Sequence, residues 1–305
     1  MTDLPILDAA ATRAALQPLP LLDAVLAALV AIADGSVSAP PRVAARAPGG
    51  LLGVMPAHVP GLGLAAKLVS VFHDRERPGR TRHQGVVALF DERTGELRAL
   101  LDAEPLTALR TAACATAALS ALARERPRRI AVVGTGVQAA AQLTLLGALD
   151  LDAEVVVGGR DAERAAETAR LLPGAVAAPV REAVRGADAV LCCTAARTPV
   201  VDPDWLAPGV HLSSVGGSDG WELHPEAVAR GSLFAEWAGA ASAEPPAGAL
   251  ELQGVPAERV TLLGDVLAGR RPGRREERET TVFKSTGHAA LDVAAASVAW
   301  RTLHA

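Results

Sequence analysis

Arg129-Ile130-Ala131-Val132-Val133-Gly134-Thr135-Gly136-Val137-Gln138-Ala139-Ala140 lies in the middle of this 305-residue chain and decides its fold. A short β-branched run ends in Gly-x-Gly-x-x-Ala and passes directly into an Ala/Leu-rich helical pattern, Gln138 to Leu149. Strand, glycine turn and helix in that order are the setting a dinucleotide fingerprint requires; the alternative is an ordinary strand-to-helix turn. Gly134 is expected to make the tight turn and Gly136 to let the backbone approach a pyrophosphate. Ala139 stands where a third glycine often sits and still permits close helix–strand packing. The helix start then offers unpaired N–H groups and a positive dipole end to an anion. Thr135, Val137 and Gln138 complete the loop as cofactor-binding candidates.

Working outward, strands are expected at 130–133, 154–158, 188–194, 210–215 and 233–237, with helical segments between the first four. That alternation predicts an α/β domain with a Rossmann-type doubly wound parallel sheet. Its second strand ends in Gly158-Gly159-Arg160-Asp161. An NAD site usually carries an acid here for the ribose hydroxyls, whereas Arg160 can meet a 2′-phosphate. Asp161 reads as the cap of the next helix, 162–172. The pattern therefore favours NADPH, with NADH as the lesser choice. Thr194, at the end of the strand read over 188–194, is a further cofactor-binding candidate.

Upstream, residues 1 to about 35 read as helices, followed by short strands at 43–46, 51–55, 64–71 and 86–90 between glycine-rich turns. Asp102 is expected to cap a long helix running to Leu122, with Pro105 in its first turn. Thr107, Arg110, Thr111 and Cys114 share one face of it. Downstream, Gly269 to Glu279 reads as a solvated mixed-charge loop. A last helix, about 287–303, is expected to return to the first region.

Net charge is −4, aromatics make up 3% of the chain and Tyr is absent, so neither a basic surface nor a base-stacking platform is expected and nucleic acid is not an expected partner. Cys114, Cys192 and Cys193 suggest buried small residues instead of a disulfide framework or a metal site. Residues 24–33 form the longest clean apolar run, too short to span a bilayer. With no signal-peptide pattern at the start, the expectation is a cytoplasmic protein with no membrane partner.

Several motifs, in order, carry a resemblance. They are Arg42 after Pro40-Pro41, Gly53-Val54-Met55-Pro56, Ala66-Lys67-Leu68-Val69-Ser70-Val71, His83-Gln84-Gly85, Leu106-Thr107-Ala108-Leu109-Arg110-Thr111-Ala112-Ala113, the glycine loop, and Val282-Phe283-Lys284-Ser285-Thr286-Gly287. Together they resemble the ornithine cyclodeaminase/mu-crystallin family, and most specifically its ketimine reductases. The resemblance implies a homodimer. Its substrate-binding and dimerisation domain would be α+β, residues 1–115 with 288–305 returning to it. Residues 116–287 would form the NAD(P)-binding domain, with Ser285 and Thr286 near the nicotinamide. Short strands before Asp91 would leave sheet edges for a second copy.

Reduction of a cyclic ketimine acid needs a hydride donor, a carboxylate anchor and protons. Arg42 and Arg110 are the anchor candidates, because a guanidinium fork matches a carboxylate. Arg42 could instead be a surface arginine, and Arg110, in an Ala/Thr/Leu helix, could serve an internal ion pair. Lys67, in an apolar strand, suits proton transfer or carboxylate contact, unless it faces solvent at a strand edge. Lys67 and Arg110 are thus the catalytic candidates, and Arg42, Thr81 and Ser218 join them as substrate contacts. Cyclodeaminases of the family carry a glutamate just ahead of Met-Pro, where Gly53-Val54 stands here, and an aspartate that Ser218 replaces. Asp219 is one residue away, and a shifted loop would bring it in. The expected function is NADPH-dependent reduction of small cyclic imino acids, such as pyrroline- or piperideine-2-carboxylate. The alternatives are an NAD-dependent ornithine cyclodeaminase, an alanine-type amino-acid dehydrogenase, and a non-catalytic NADPH-dependent binding protein.

Overall fold

The computed structural model describes residues 4–73, 81–216 and 220–305, the side chains of His73, Thr81, Arg82 and His83 excepted. The chain begins β1 (Ile6–Leu7), α1 (Ala9–Ala15), α2 (Pro18–Ala33), β2 (Val43–Ala47), β3 (Gly50–Val59), β4 (Gly63–His73), β5 (Thr81–Phe90), β6 (Leu97–Asp102) and α3 (Ala103–Leu122). It continues β7 (Arg129–Val133), α4 (Val137–Ala148), β8 (Glu154–Gly159), α5 (Ala162–Ala169), β9 (Val176–Pro179), α6 (Val180–Val184), β10 (Ala189–Cys192) and β11 (His211–Ser214). It closes with α7 (Pro225–Arg230), β12 (Ser232–Ala235), α8 (Gly239–Ser242), β13 (Val260–Leu262), α9 (Leu263–Leu267), β14 (Thr281–Lys284) and α10 (Ala289–Leu303). Two compact units result: Met1–Arg110 with His288–Ala305, and Thr111–Gly287.

The second unit is a doubly wound parallel sheet in the order β13-β12-β14-β11-β10-β7-β8-β9. Residues 130–133 of β7, 155–157 of β8 and all of β10 are apolar and buried because both faces are covered, whereas the inner strands β11 and β14 also bury His211, Ser213, Ser214, Thr281 and Lys284. Along β7 the side chains alternate between two cores. Ile130 and Val132 pack with Leu119, Leu143 and Leu146, whereas Ala131 and Val133 pack with Val190, Leu212 and Leu233. The strand order reverses between β7 and β10, and ligands of open α/β sheets bind beyond the strand ends at such a point.

One expectation fails here. No α-helix joins β10 to β11; only a 3-10 turn at Pro203–Trp205 does. Pro199, Pro203 and Pro208 fall in that connection, each lacking an N–H and restricting the residue before it. The loop 269–279 is mostly exposed, as its charge suggests, and is tethered at two points. Arg274 Nε donates to Leu122 O at 3.0 Å and its Nη2 to Thr281 Oγ1 at 3.2 Å, and the Ser232 hydroxyl meets the half-buried Glu279 carboxylate.

The first unit has a sheet in the order β1-β6-β5-β4-β3-β2, antiparallel except where β1 joins β6. Its strands are not short: β3 and β5 have ten residues and β4 eleven. Pro56 does not end β3, because β2 pairs with β3 only as far as Val54 and leaves an edge where the missing N–H costs nothing. Asp102 Oδ1 accepts from Glu104 N at 2.8 Å at the start of α3. Helix α10 packs on α2 and across β3, β4 and β5, burying every residue from Ala290 to Ala299. Five alanines in that stretch allow the close approach. The opposite face of the sheet carries Val43, Leu52, Leu64 and Phe72, all exposed.

Candidate active site

Lys67 lies on β4, between β3 and β5, with its side chain on the face that α10 covers. A solvent-facing edge lysine is thereby excluded. Its Nζ is 2.9 Å from Asp292 Oδ2, and Arg110 Nε donates to Asp292 Oδ1 at 3.0 Å. All three side chains are at most 7% exposed. Asp292 stands in the first turn of α10, whose positive dipole end favours a carboxylate. The reading of Arg110 as an internal ion pair is thus correct in part. Among the described residues the pairing uses Nε alone, so the terminal nitrogens remain for a second carboxylate.

Burial pulls the Lys67 ammonium below the ordinary lysine value; Asp292 opposes this, and the charges of Arg110 and Arg42 add to it. Burial pushes the Asp292 carboxyl up, but Lys67 and Arg110 more than offset it and hold it below the usual range. His288 caps α10 through Nδ1, which accepts from Ala290 N at 3.2 Å. Burial lowers this imidazole to about 4, so it is neutral near pH 7. Arg42 is exposed, and its charge reaches both Lys67 and His288.

In the second unit the glycine loop separates three physical tasks. Gly134 has φ 132°, and a Cβ there would stand 2.6 Å from Cys193 O. Gly136 begins α4 with no side-chain cap, and a Cβ there would meet nothing within 4 Å. Ala139 is fully buried against β7. Open space above uncapped N–H groups fits a pyrophosphate. Thr135 and Gln138 are half-buried at this loop and Val137 is exposed. At the end of β8, Asp161 Oδ1 accepts from Glu163 N and Arg164 N at 3.0 and 3.1 Å, so this acid is occupied as the cap of α5. Arg160 beside it is exposed.

Thr194 lies two residues beyond β10, where its N–H and Oγ1 both donate to Glu222 Oε1, at 2.7 and 2.6 Å. Glu222 Oε2 accepts from Ser214 Oγ and Gly216 N. Lys284 Nζ reaches Ser214 Oγ at 2.9 Å, the Gly216 carbonyl, and Glu251 Oε1 at 3.1 Å. Glu236 Oε1 accepts from Ser285 Oγ, Thr286 N and Gly287 N, and Trp237 Nε1 donates to Thr286 Oγ1. Two buried carboxylate networks therefore fix the loops past β10, β11 and β14.

Sequence reasoning missed Asp292, Glu222, Glu251 and Glu236, and gave Lys284 no role. One signal was available: only two of the 30 basic residues are lysines, Lys67 and Lys284, and both are buried against a carboxylate. Ser218 and Asp219 lie outside the described residues, as does the side chain of Thr81.

Known proteins resemble this chain in sequence and in fold. The mouse ketimine reductase mu-crystallin is 34% identical over 289 residues, covering 92% of this chain and 90% of the mouse protein. The structure of Thermococcus litoralis Delta(1)-pyrroline-2-carboxylate reductase in complex with NADH and L-proline superposes with TM-score 0.86 and 26% identity, over 99% of this chain and 98% of that one. An archaeal alanine dehydrogenase dimer with bound NAD gives TM-score 0.85 and 28% identity, over 99% and 96%. The model of the ornithine cyclodeaminase/mu-crystallin family matches residues 6–304, which include both the cation pair on Asp292 and the glycine loop. On that match, spanning nearly the whole sequence, the chain belongs to the ornithine cyclodeaminase/mu-crystallin family.

Proposed function

We propose that this protein is an NAD(P)-dependent oxidoreductase acting on C=N groups, and that with NADPH it reduces small cyclic imino acids of the pyrroline-2-carboxylate or piperideine-2-carboxylate type to cyclic amino acids. The observation that carries this reading is the buried cluster of Lys67, Arg110 and Asp292. Two cations share one carboxylate, and Arg42 adds a third positive charge nearby. A buried surplus of positive charge is costly unless an anion completes it, and a substrate carboxylate is such an anion. The terminal nitrogens of Arg110 and the guanidinium of Arg42 bind that carboxylate. Lys67 contacts it or donates the proton that the imine nitrogen must carry. Thr81 and Ser218 are the further substrate contacts of this reading.

A nicotinamide held by this unit would supply the hydride for the reduction. The chain's part on that side is binding: Gly134, Thr135, Gly136, Val137, Gln138 and Ala139 at the pyrophosphate, Arg160 at the 2′-phosphate, and Thr194, Ser285 and Thr286 toward the nicotinamide. The reductase relative solved with NADH supports a nicotinamide cofactor, and the choice of NADPH in this reading rests on Arg160 and on the capping role of Asp161 at the end of β8. The working form in this reading is a homodimer, and its location is cytoplasmic.

The test is NADPH oxidation with a panel of cyclic imino acids, run beside ammonia release from ornithine. Expected is imine-dependent oxidation by the wild type, lost strongly in Lys67→Ala and Arg110→Ala while NADPH affinity changes little. A wild type that consumes NADPH with no member of the panel overturns the reading.

A further inference from the structure

Asp292 is the only acid in the α10 stretch Ala289–Leu303, and it stands among alanines, valine and leucine. An ionised carboxylate in such surroundings is cut off from water, so both its oxygens must be matched. One oxygen takes Lys67 from β4 and the other takes Arg110 from α3. These two cations are 43 residues apart in sequence and repel each other, and Asp292 is the group that pairs with both.

We propose that Asp292 is a positioning residue of the imino-acid site, the shared support that sets Lys67 and Arg110 side by side so that both present to one substrate carboxylate. The proposal rests on the reductase reading and extends it to a residue that does not itself touch the substrate. By using Nε, Asp292 fixes the plane of the Arg110 guanidinium and leaves its terminal edge for a bidentate contact. By using the Lys67 ammonium, it steers that group away from free rotation. Its charge also works against the three influences that discharge Lys67: burial, Arg110 and Arg42. His288, the cap of α10, has a neutral ring that adds no charge to the balance near pH 7, and Arg98, Arg301 and His304 lie at the far end of the helix around Trp300. The strand neighbours of Lys67, Met55 on β3 and Val87 on β5, carry none.

The scarcity of lysine makes a direct measurement possible. Protein labelled with 15N at lysine Nζ gives signals from Lys67 and Lys284 only, and Lys67→Arg assigns them. In Asp292→Asn the Lys67 titration midpoint is expected to fall by at least about one pH unit. The alkaline limb of the kcat/KM profile for imino acid falls with it, because the protonated lysine is then lost at lower pH. Asp292→Glu keeps the charge and the fold but moves both cations by a methylene. It is expected to leave the Lys67 titration near that of the wild type while raising the imino-acid KM by about 10- to 100-fold, with the NADPH KM unchanged. Asp292→Asn with wild-type Lys67 titration and pH profile, or Asp292→Glu with wild-type imino-acid KM, overturns the proposal while leaving the reductase reading intact. A wild type inactive on every imino acid overturns the reading and the proposal together.

Discussion

Gly134 approaches Cys193 so closely that a methyl group on its Cα would lie 2.6 Å from the Cys193 carbonyl oxygen. That oxygen is backbone and cannot rotate away. Its φ of 132° adds a second penalty for any side chain. Gly136 differs: its φ is −103° and a Cβ would meet open space. The two glycines therefore predict two phenotypes. Gly134→Ala is expected to lower stability by about 1–3 kcal/mol and to weaken NADPH. Gly136→Ala should leave the thermal midpoint nearly unchanged and still weaken NADPH, because its methyl occupies the space above the uncapped start of α4. Thermal unfolding with and without NADPH measures both; an equal effect of the two substitutions on the midpoint would count against this division of labour.

Cofactor choice turns on the end of β8. A Cβ on Gly159 would stand 2.9 Å from Thr135 Cγ2, so the strand end stays bare and Arg160 is the first side chain available. Removing one charged phosphate contact costs about 1.5–3 kcal/mol. Arg160→Ala is thus expected to weaken NADPH by roughly 10- to 150-fold and to spare NADH. Equal losses for both cofactors in titration calorimetry would mark Arg160 as structural.

Much of this site was legible from local pattern, and the remainder was not, for identifiable reasons. The glycine loop announces itself because strand, turn and helix are contiguous. Lys67 and Arg110 stand out as charges in apolar runs. Asp292 has the same signature, yet its pairing with Arg110 spans 182 positions, and hydrophobic period gives a residue's face without its partner. Strand order is hidden for the same reason. β14, last of its sheet in sequence, lies between β11 and β12, and its Val282-Phe283-Lys284 reads equally well as a loop motif. β3 runs past the expected 51–55 and through Pro56 to Val59, because whether a proline ends a strand depends on which neighbour pairs there.

The uncovered face of the first sheet predicts its assembly. Val54, Leu68 and Val86 are in register across β3, β4 and β5 and half-exposed, and Val43 and Leu52 nearby are 62% and 43% exposed. Contiguous apolar surface of this kind marks an interaction site, and a second copy of the same face is self-complementary. Sedimentation should give a dimer at micromolar concentration, and Leu52→Glu should shift it toward monomer. A wild type that sediments as a stable monomer would remove the claim.

The last prediction concerns a reaction the site is not built for. Cyclodeamination of ornithine adds to imine formation a ring closure, in which carboxylates hold the side-chain ammonium and take its proton, the free amine attacks the imine carbon, and ammonia leaves. Met55 pairs with Lys67 across the sheet, and residues two apart on a strand share a face, so Gly53 lies on the same face as Lys67. A Cβ there would be 3.7 Å from Val69 O, ordinary contact, so a side chain has room and none is present. Among the described residues Asp292 is the one carboxylate paired with Lys67 and Arg110, and each of its oxygens faces one of those cations. A second ammonium brought to this cluster adds to a positive surplus instead of relieving it, whereas the single carboxylate of a cyclic imino acid relieves it. Ornithine should therefore release no ammonia with either NAD or NADPH, under conditions in which a cyclic imino acid consumes NADPH. Sustained ammonia release with catalytic NAD would mean that an acid outside this cluster, Asp219 foremost, grips the ammonium, and the protein would then be a lyase.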